Sequence, residues 1–274
     1  MIKSVLAGVA VSALGTIAAQ AHAATEVELK NVAARVIVTP EDRSDVKLTV
    51  AYGKSTLPKI LIATRGDRLI ANGQLGKSVH CSGPNARITG KGTIAQGDLP
   101  VIHIRVPRDA KVSAGGAVYG RIGATRSLEF ALGGCGDWTV DDVEQKAELS
   151  IGGSGTVRAR NLGEAEIAVG GSGDVYANRV GKLEGAIGGS GSINVAEVRG
   201  PVEIAIGGSG DVRLDKGFAP KVEVSIAGSG NVRFNGEAQD VELSVVGAGD
   251  VTIRKVTGKV SKSVMGSGNV HIGN

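Results

Sequence analysis

Aromatic side chains are nearly missing from this chain: one Trp, three Tyr and three Phe stand in 274 residues. Clefts that cleave sugars are generally walled by aromatic rings, and a glycosidase also needs two carboxylates set across the scissile bond. Trp138 and Phe234 occupy positions that read as interior, and the loops between the repeats described below are short, so little remains to build such a cleft. Histidine is just as sparse. Beyond residue 23 only His80, His103 and His271 occur, well separated, and the adjacent pair His80-Cys81 lacks the two further ligands of a zinc site. No Gly-Lys-Ser/Thr follows a glycine-rich turn, and no Ser has the Gly-x-Ser-x-Gly setting of a nucleophile elbow. These gaps leave no catalytic, cofactor or metal residue to assign.

Other shortages bound the protein further. Basic residues exceed acidic ones by only four and form no cluster, which excludes nucleic acid as a partner. No apolar run beyond residue 23 could span a bilayer. Only two cysteines occur, Cys81 and Cys135. Export would permit them to pair, but their positions in the sequence do not say whether they meet or stay as two thiols.

What the chain has instead is glycine, 43 residues of it, and a repeat. The stretch Ile204 to Leu214, Ile-Ala-Ile-Gly-Gly-Ser-Gly-Asp-Val-Arg-Leu, recurs from Phe130 to the end. Aligned on its Ser, the copies place Cys135, Ser154, Ser172, Ser190, Ser209, Ser229, Ala248 and Ser267 in one slot, 18 to 20 residues apart. A period of that length means stacked coils. Three residues before the slot stand Leu132, Ile151, Val169, Ile187, Ile206, Ile226, Val245 and Val264, and three after it Trp138, Val157, Val175, Ile193, Val212, Val232, Val251 and Val270. Polar or small residues alternate with these apolar columns, the period-2 signature of half-buried strands. A looser third side adds one more apolar residue per coil, as at Val143, Leu162, Val180, Val198, Phe218 and Val256. The expected fold is all-β, a single-stranded parallel β-helix with three sides and eight such coils, about 38 Å long at one strand spacing per coil.

Both neighbours of the slot are Gly in all eight copies. Those after it, Gly136, Gly155, Gly173, Gly191, Gly210, Gly230, Gly249 and Gly268, mark corners where either φ is positive or no Cβ fits. The next residue is a turn-former: Asp137, Thr156, Asp174, Ser192, Asp211, Asn231, Asp250 or Asn269. The resulting Gly-Gly-Ser-Gly-Asp corner departs from the calcium-binding Gly-Gly-x-Gly-x-Asp of β-rolls. Its Asp comes one place early, its period is about twice too long, and half of the slots hold Thr, Ser or Asn.

One outward column stands apart. Glu129, Glu148, Glu166, Glu184, Glu203, Glu223 and Glu242 lie six residues before the slot in seven consecutive coils, beside an all-small column running from Ala131 to Ser263. Stacked carboxylates about 4.8 Å apart repel by about 0.9 kcal/mol per pair even at the dielectric of water. Either they fan out into solvent, or they form a flat strip that binds cations, a basic partner or another copy. The last coil breaks its own columns, with Ser261 in place of Glu, Lys262 at an inward position and Met265 where most coils have Gly.

The start of the chain differs. Residues 1–23 read as a secretory signal: Lys3, an apolar run from Val5 to Ala19, and Ala21-His22-Ala23 before the cleavage point. Residues 24–110 hold 8 Gly, against 33 in 111–274, and lack the corner motif. They still contain short alternating runs at Glu26 to Val32, Arg35 to Val38, Val46 to Tyr52, Ile60 to Ala63, Arg68 to Ala71 and Val101 to Val106, punctuated by Pro40, Pro58, Pro84, Pro100 and Pro107. This is either a divergent beginning of the solenoid or a cap over its end, and Ala114-Gly115-Gly116-Ala117 looks like a degraded corner where regular coils begin. If Cys81 and Cys135 pair, they pin this first part to the first full corner.

The order of these parts resembles a known family. A signal, a Val-rich β segment at Thr25 to Tyr52, the run Ile102-His103-Ile104-Arg105-Val106-Pro107, and repeated Gly-Ser-Gly-Asp/Asn-Val corners together look like the auto-transporter adhesin head domain, also called the GIN domain, of exported bacterial proteins. The resemblance covers nearly the whole chain after the signal. It implies a right-handed β-helix with an adhesin-like role, and it brings no catalytic residues with it. No surface-anchor sorting motif and no membrane-barrel segment accompany the repeats. The expected protein is therefore a non-enzymatic rod in the periplasm or at the cell surface. It would bind an envelope or extracellular macromolecule, or itself, through a flat face or the end of the solenoid. The competing reading is a β-helix enzyme acting on polysaccharides.

Overall fold

The computed structural model describes residues 24–273; the expected signal, 1–23, lies outside the described residues. The chain is a β-solenoid of about 9 turns. Its repeats pair coil to coil in parallel, with Leu128–Leu132 on Ala147–Ile151, Trp138–Val140 on Val157–Ala159, and so on to Val251–Ile253 on Val270–Ile272. The cause is the alternation seen in the sequence: β-branched residues turn inward, where Ile151, Val157, Ile167, Val175, Ile193 and Val212 are all buried. One continuous core runs from Val27 to Ile253. Three strands of 14 residues, Asp109–Ile122, Thr156–Val169 and Asp174–Ile187, pass around a corner of the coil without a break.

The beginning of the chain is stacked out of sequence order. Strands β1 (Glu26–Glu41), β2 (Lys47–Ala51), β3 (Leu61–Arg65), β4 (Arg68–Asn72), β5 (Val79–Ser82), β6 (Asn85–Ile88), β7 (Gly92–Ile94), β8 (Val101–Pro107) and β9 (Asp109–Ile122) make up this part. One side of β1 pairs in parallel with β9, the beginning of the regular coils. Its other side pairs in parallel with β4 through Glu26–Lys30 and with β8 through Arg35–Glu41. Coils of the solenoid kind therefore stand on both faces of β1. Beyond them β3 runs antiparallel to β4 and β2 antiparallel to β8, which ends the parallel stacking. A divergent coil and a cap are thus both present, one upon the other. The degraded corner is real, since Ala117 bridges to Cys135 in the slot column and Gly116 has φ 119°.

Between β4 and β8 the chain makes an excursion that the sequence patterns did not reveal, a separate three-stranded antiparallel sheet in the order β5-β6-β7. It lies over outward positions of β1 and β9. That explains why Ala33, Ala117 and Tyr119 are apolar and buried although they alternate with core residues: they join Leu57, Leu75, Ala86, Ile88 and Leu99 in a second small core.

One inward assignment is wrong. Phe218 is 47% exposed, and Gly217 instead stands beside Val198 in the third-side column. Gly217 has φ 122°, and a Cβ there would collide with the Val198 carbonyl, so the inward position admits only glycine; one coil on, a Cβ at Gly236 would strike the ring of the fully buried Phe234.

Candidate binding face

The eight corners fold as they do because neighbouring coils touch backbone to backbone. Of the glycines after the slot, only Gly136 has a positive φ, 113°. At Gly155, Gly173, Gly191, Gly210, Gly230, Gly249 and Gly268 a Cβ would instead collide with the carbonyl oxygen of the equivalent glycine one coil earlier. Crowding, more than backbone conformation, demands glycine there. The turn residue that follows bonds to the next coil. Asp211 Oδ1 accepts from the Asn231 backbone N–H at 3.0 Å and from its Nδ2 at 2.9 Å, Asn231 Oδ1 accepts from the Asp250 N–H at 3.1 Å, and Asp250 Oδ1 accepts from the Asn269 N–H at 2.8 Å. Alternating carboxylate with amide gives each member of this ladder an acceptor and avoids stacking like charges.

The glutamate column is in register throughout: Glu129 pairs with Glu148, then Glu166, Glu184, Glu203, Glu223 and Glu242 in turn. Lysines share the face. Lys146 lies 2.6 Å from Glu148 and 2.9 Å from Glu166, Lys182 lies 2.5 Å from Glu184 and 2.9 Å from Glu164, and Lys221 contacts Glu223. These lysines stand two residues before the column in their coils, where Lys146, Glu164 and Lys182 pair in register. At the far end Lys111 enters the column itself, between Glu26 and Glu129, at 3.4 and 3.2 Å. The hydrogen bonds that the Lys146 ammonium donates to Glu148 and Glu166 hold its pKa well above the ordinary value, and the one that Lys182 donates to Glu184 lowers that carboxyl's. Repulsion is thus offset within the face, and Glu203 and Glu242 are the members without an ion pair among the described residues.

Cys81 and Cys135 are joined, with their Cα atoms 6.0 Å apart. The bond fastens β5 to the first full corner, and beside it opens a cleft of about 790 Å³. Its floor is the solenoid face at Ser113, Gly115, Ala131, Gly133 and Ser154, and its rim carries Glu28, Lys30, Asn31 and His80. The expectation that short loops leave no cleft fails here, because an insertion and not the repeat loops builds the wall. Among the described residues no three His, Cys, Asp or Glu side chains converge as metal ligands, and no helix is long and apolar enough to cross a membrane.

The family model described as "Putative auto-transporter adhesin, head GIN domain" matches residues 77–198 and 198–274. The chain belongs to this GIN-domain family. The structure of a protein of Parabacteroides distasonis described as a "putative adhesin" is similar to this GIN-domain chain with TM-score 0.54 and 16% identity, over 91% of this chain and 92% of that one. A second such protein, from Bacteroides fragilis, gives TM-score 0.40 and 14% identity over the same shares. No curated protein matches the sequence. At these identities the likeness to the first structure establishes the fold, and the family and its neighbours are described as adhesins rather than as enzymes.

Proposed function

We propose that this GIN-domain protein is an exported, non-enzymatic component of the cell envelope, a stiff rod that presents its flat glutamate-lined face to an external macromolecule. The observation that carries this reading is the unbroken register of outward residues from Glu129 to Glu242, a repetitive, shallow surface suited to broad contact. Two features support export. The segment 1–23 has the charged end, short apolar run and Ala-His-Ala of a cleaved signal. The Cys81–Cys135 bond belongs with oxidising compartments. The test is localisation of a tagged chain in cell fractions, combined with recovery of envelope partners with and without a chelator. Periplasmic or surface protein with reproducible envelope partners is expected; a cytoplasmic protein, or one that recovers nothing from the envelope, overturns the reading.

A further inference from the structure

The sheet β5-β6-β7 has a free edge at β5. Strand β5 pairs antiparallel with β6, Val79 with Ile88, His80 with Arg87, Cys81 with Ala86 and Ser82 with Asn85. The Thr89 N–H donates to the Ser78 carbonyl at 2.9 Å, so that pair is a bonded rung. Rungs alternate in an antiparallel ladder. The next bonded one is therefore His80 with Arg87, and the N–H and C=O of Val79 and Cys81 point away from β6. Among the described residues these four groups have no hydrogen-bond partner.

That edge faces the cleft. Val79, His80 and Cys81 all line it, and three consecutive residues of one strand border a single space only along the strand's edge, because alternate side chains leave opposite faces. On the floor opposite, the Gly133 N–H donates to the Ala114 carbonyl and the Gly152 N–H to that of Leu132, coil to coil. The floor offers room. A Cβ at Gly115 would meet only the Leu29 carbonyl at 3.6 Å, and one at Gly133 only that of Ala114 at 4.0 Å, with neither φ in the left-handed region. The fold does not need glycine at these two positions, unlike the corners. Gly115 lies within β9, and glycine within a strand often marks a place where another backbone comes close; Gly133 continues an open column that runs on through Gly152, Gly170, Gly188 and Gly207.

Three edges beside the solenoid are guarded, with Lys47 on β2, Arg65 on β3 and Lys262 on the last coil, whereas the β5 segment Val-His-Cys-Ser has no Lys, Arg or Pro, as is also true of the short outer strand β7, Gly-Thr-Ile. We propose that the free edge of β5, over the glycine floor, is a docking site for an extended segment of another polypeptide, taken up as an added strand. The partner segment carries small side chains toward Gly115 and Gly133. Pairing along β5 would span about 13 Å, four residues at strand rise, and the cleft volume falls within the range of about 300–1,000 Å³ usual for binding sites. Strand addition draws its affinity from main-chain bonds, and unpaired edge groups are what it requires. This site is one specific point on the binding rod proposed above, and rests on that reading.

The test is selection of a displayed random-peptide library on the full, oxidised chain, followed by fluorescence polarisation of an enriched peptide. Val79→Pro removes one edge N–H that takes no part in the β5–β6 ladder; Gly133→Leu fills the floor. Each should weaken the peptide at least tenfold, and N-methylating alternate peptide amides should abolish binding, with the disulfide and the circular dichroism spectrum unchanged. Failure to enrich any peptide over the Val79→Pro chain, a peptide indifferent to both substitutions, or binding of chitin or dextran oligomers in its place each overturns the proposal. Envelope partners that are still recovered by Val79→Pro would overturn this site as their attachment point and leave the rod reading standing.

Discussion

Trp138 lies directly over Gly120: the two pair in register between adjacent coils, and a Cβ at Gly120 would collide with the six-membered ring of the indole. The fully buried indole also packs against Phe130, with ring centroids 4.7 Å apart. A large residue in one coil thus depends on an empty position in the coil before it. Gly120→Ala should lower stability by about 1–3 kcal/mol through overpacking, and Trp138→Ala by about 3–5 kcal/mol through the cavity it leaves. Thermal unfolding of both variants checks this, and a Tm unchanged in Gly120→Ala would refute the packing relationship.

Two kinds of glycine should respond in opposite ways. Gly210→Val drives side-chain atoms into the Gly191 carbonyl and the Ile187 methyl, so the melting temperature should fall sharply. Gly207, three places earlier, has nothing within 4 Å of a would-be Cβ and no positive φ. Gly207→Ala should be neutral or stabilise by up to about 1 kcal/mol, because the unfolded chain loses freedom. Ser209→Ala should change little, since Ala248 fills the same slot. Equal losses in Gly210→Val and Gly207→Ala would count against the stacking of corners.

The glutamate column can be dissected by charge. Glu203 sits between Glu184 and Glu223 without a lysine partner, so Glu203→Gln should leave stability equal or slightly higher. Glu184→Gln should cost a few tenths of a kcal/mol by releasing Lys182. If the face binds a basic partner, changing Glu166, Glu184 and Glu203 together should weaken recovery of that partner. Unaltered recovery would reduce the column to a solvated surface.

Asp109 sets an acid-side dependence. Hydrogen bonds from Arg126 and Ser127 bring its pKa down from 3.8 to about 2. The folded value is below the unfolded one, so the stability it lends is complete above about pH 4 and disappears as pH falls toward about 2. The pair is exposed, which limits the effect to under about 1 kcal/mol. Asp109→Asn should therefore lower Tm slightly at neutral pH and bring the curves of the two proteins together near pH 2; a constant difference across that window would contradict the assignment.

The last described coil pairs on one side only, with Lys262 over Leu243 and exposed in a column that is elsewhere core. A charge there discourages a further strand layer, because stacking would have to desolvate it. Lys262→Val should increase association of the rods, read by sedimentation at matched concentration. If the variant is no more associated than the parent, the lysine is simply one whose long stem reaches water.

The sequence alone determined the coil. Repeats report what each position needs from its nearest neighbours, so the inward columns, the glycine corners and the register of Glu129 through Glu242 could be read from spacing, because each coil touches only the one before and after it. Tertiary structure decided everything that depends on contacts outside that period. It set the corner glycines by carbonyl crowding where spacing left φ or crowding open, and it placed Gly217 and not Phe218 in the third-side column, where φ is positive and the Val198 carbonyl leaves no room for a Cβ. It joined Cys81 to Cys135 and turned a stretch that does not repeat into the sheet β5-β6-β7, whose edge and cleft have no periodic signature. It also stacked β4 and β8 on the far side of β1, although they follow it in the chain. Those pairings join residues far apart in sequence and occur once each, so no internal copy exists from which to infer them.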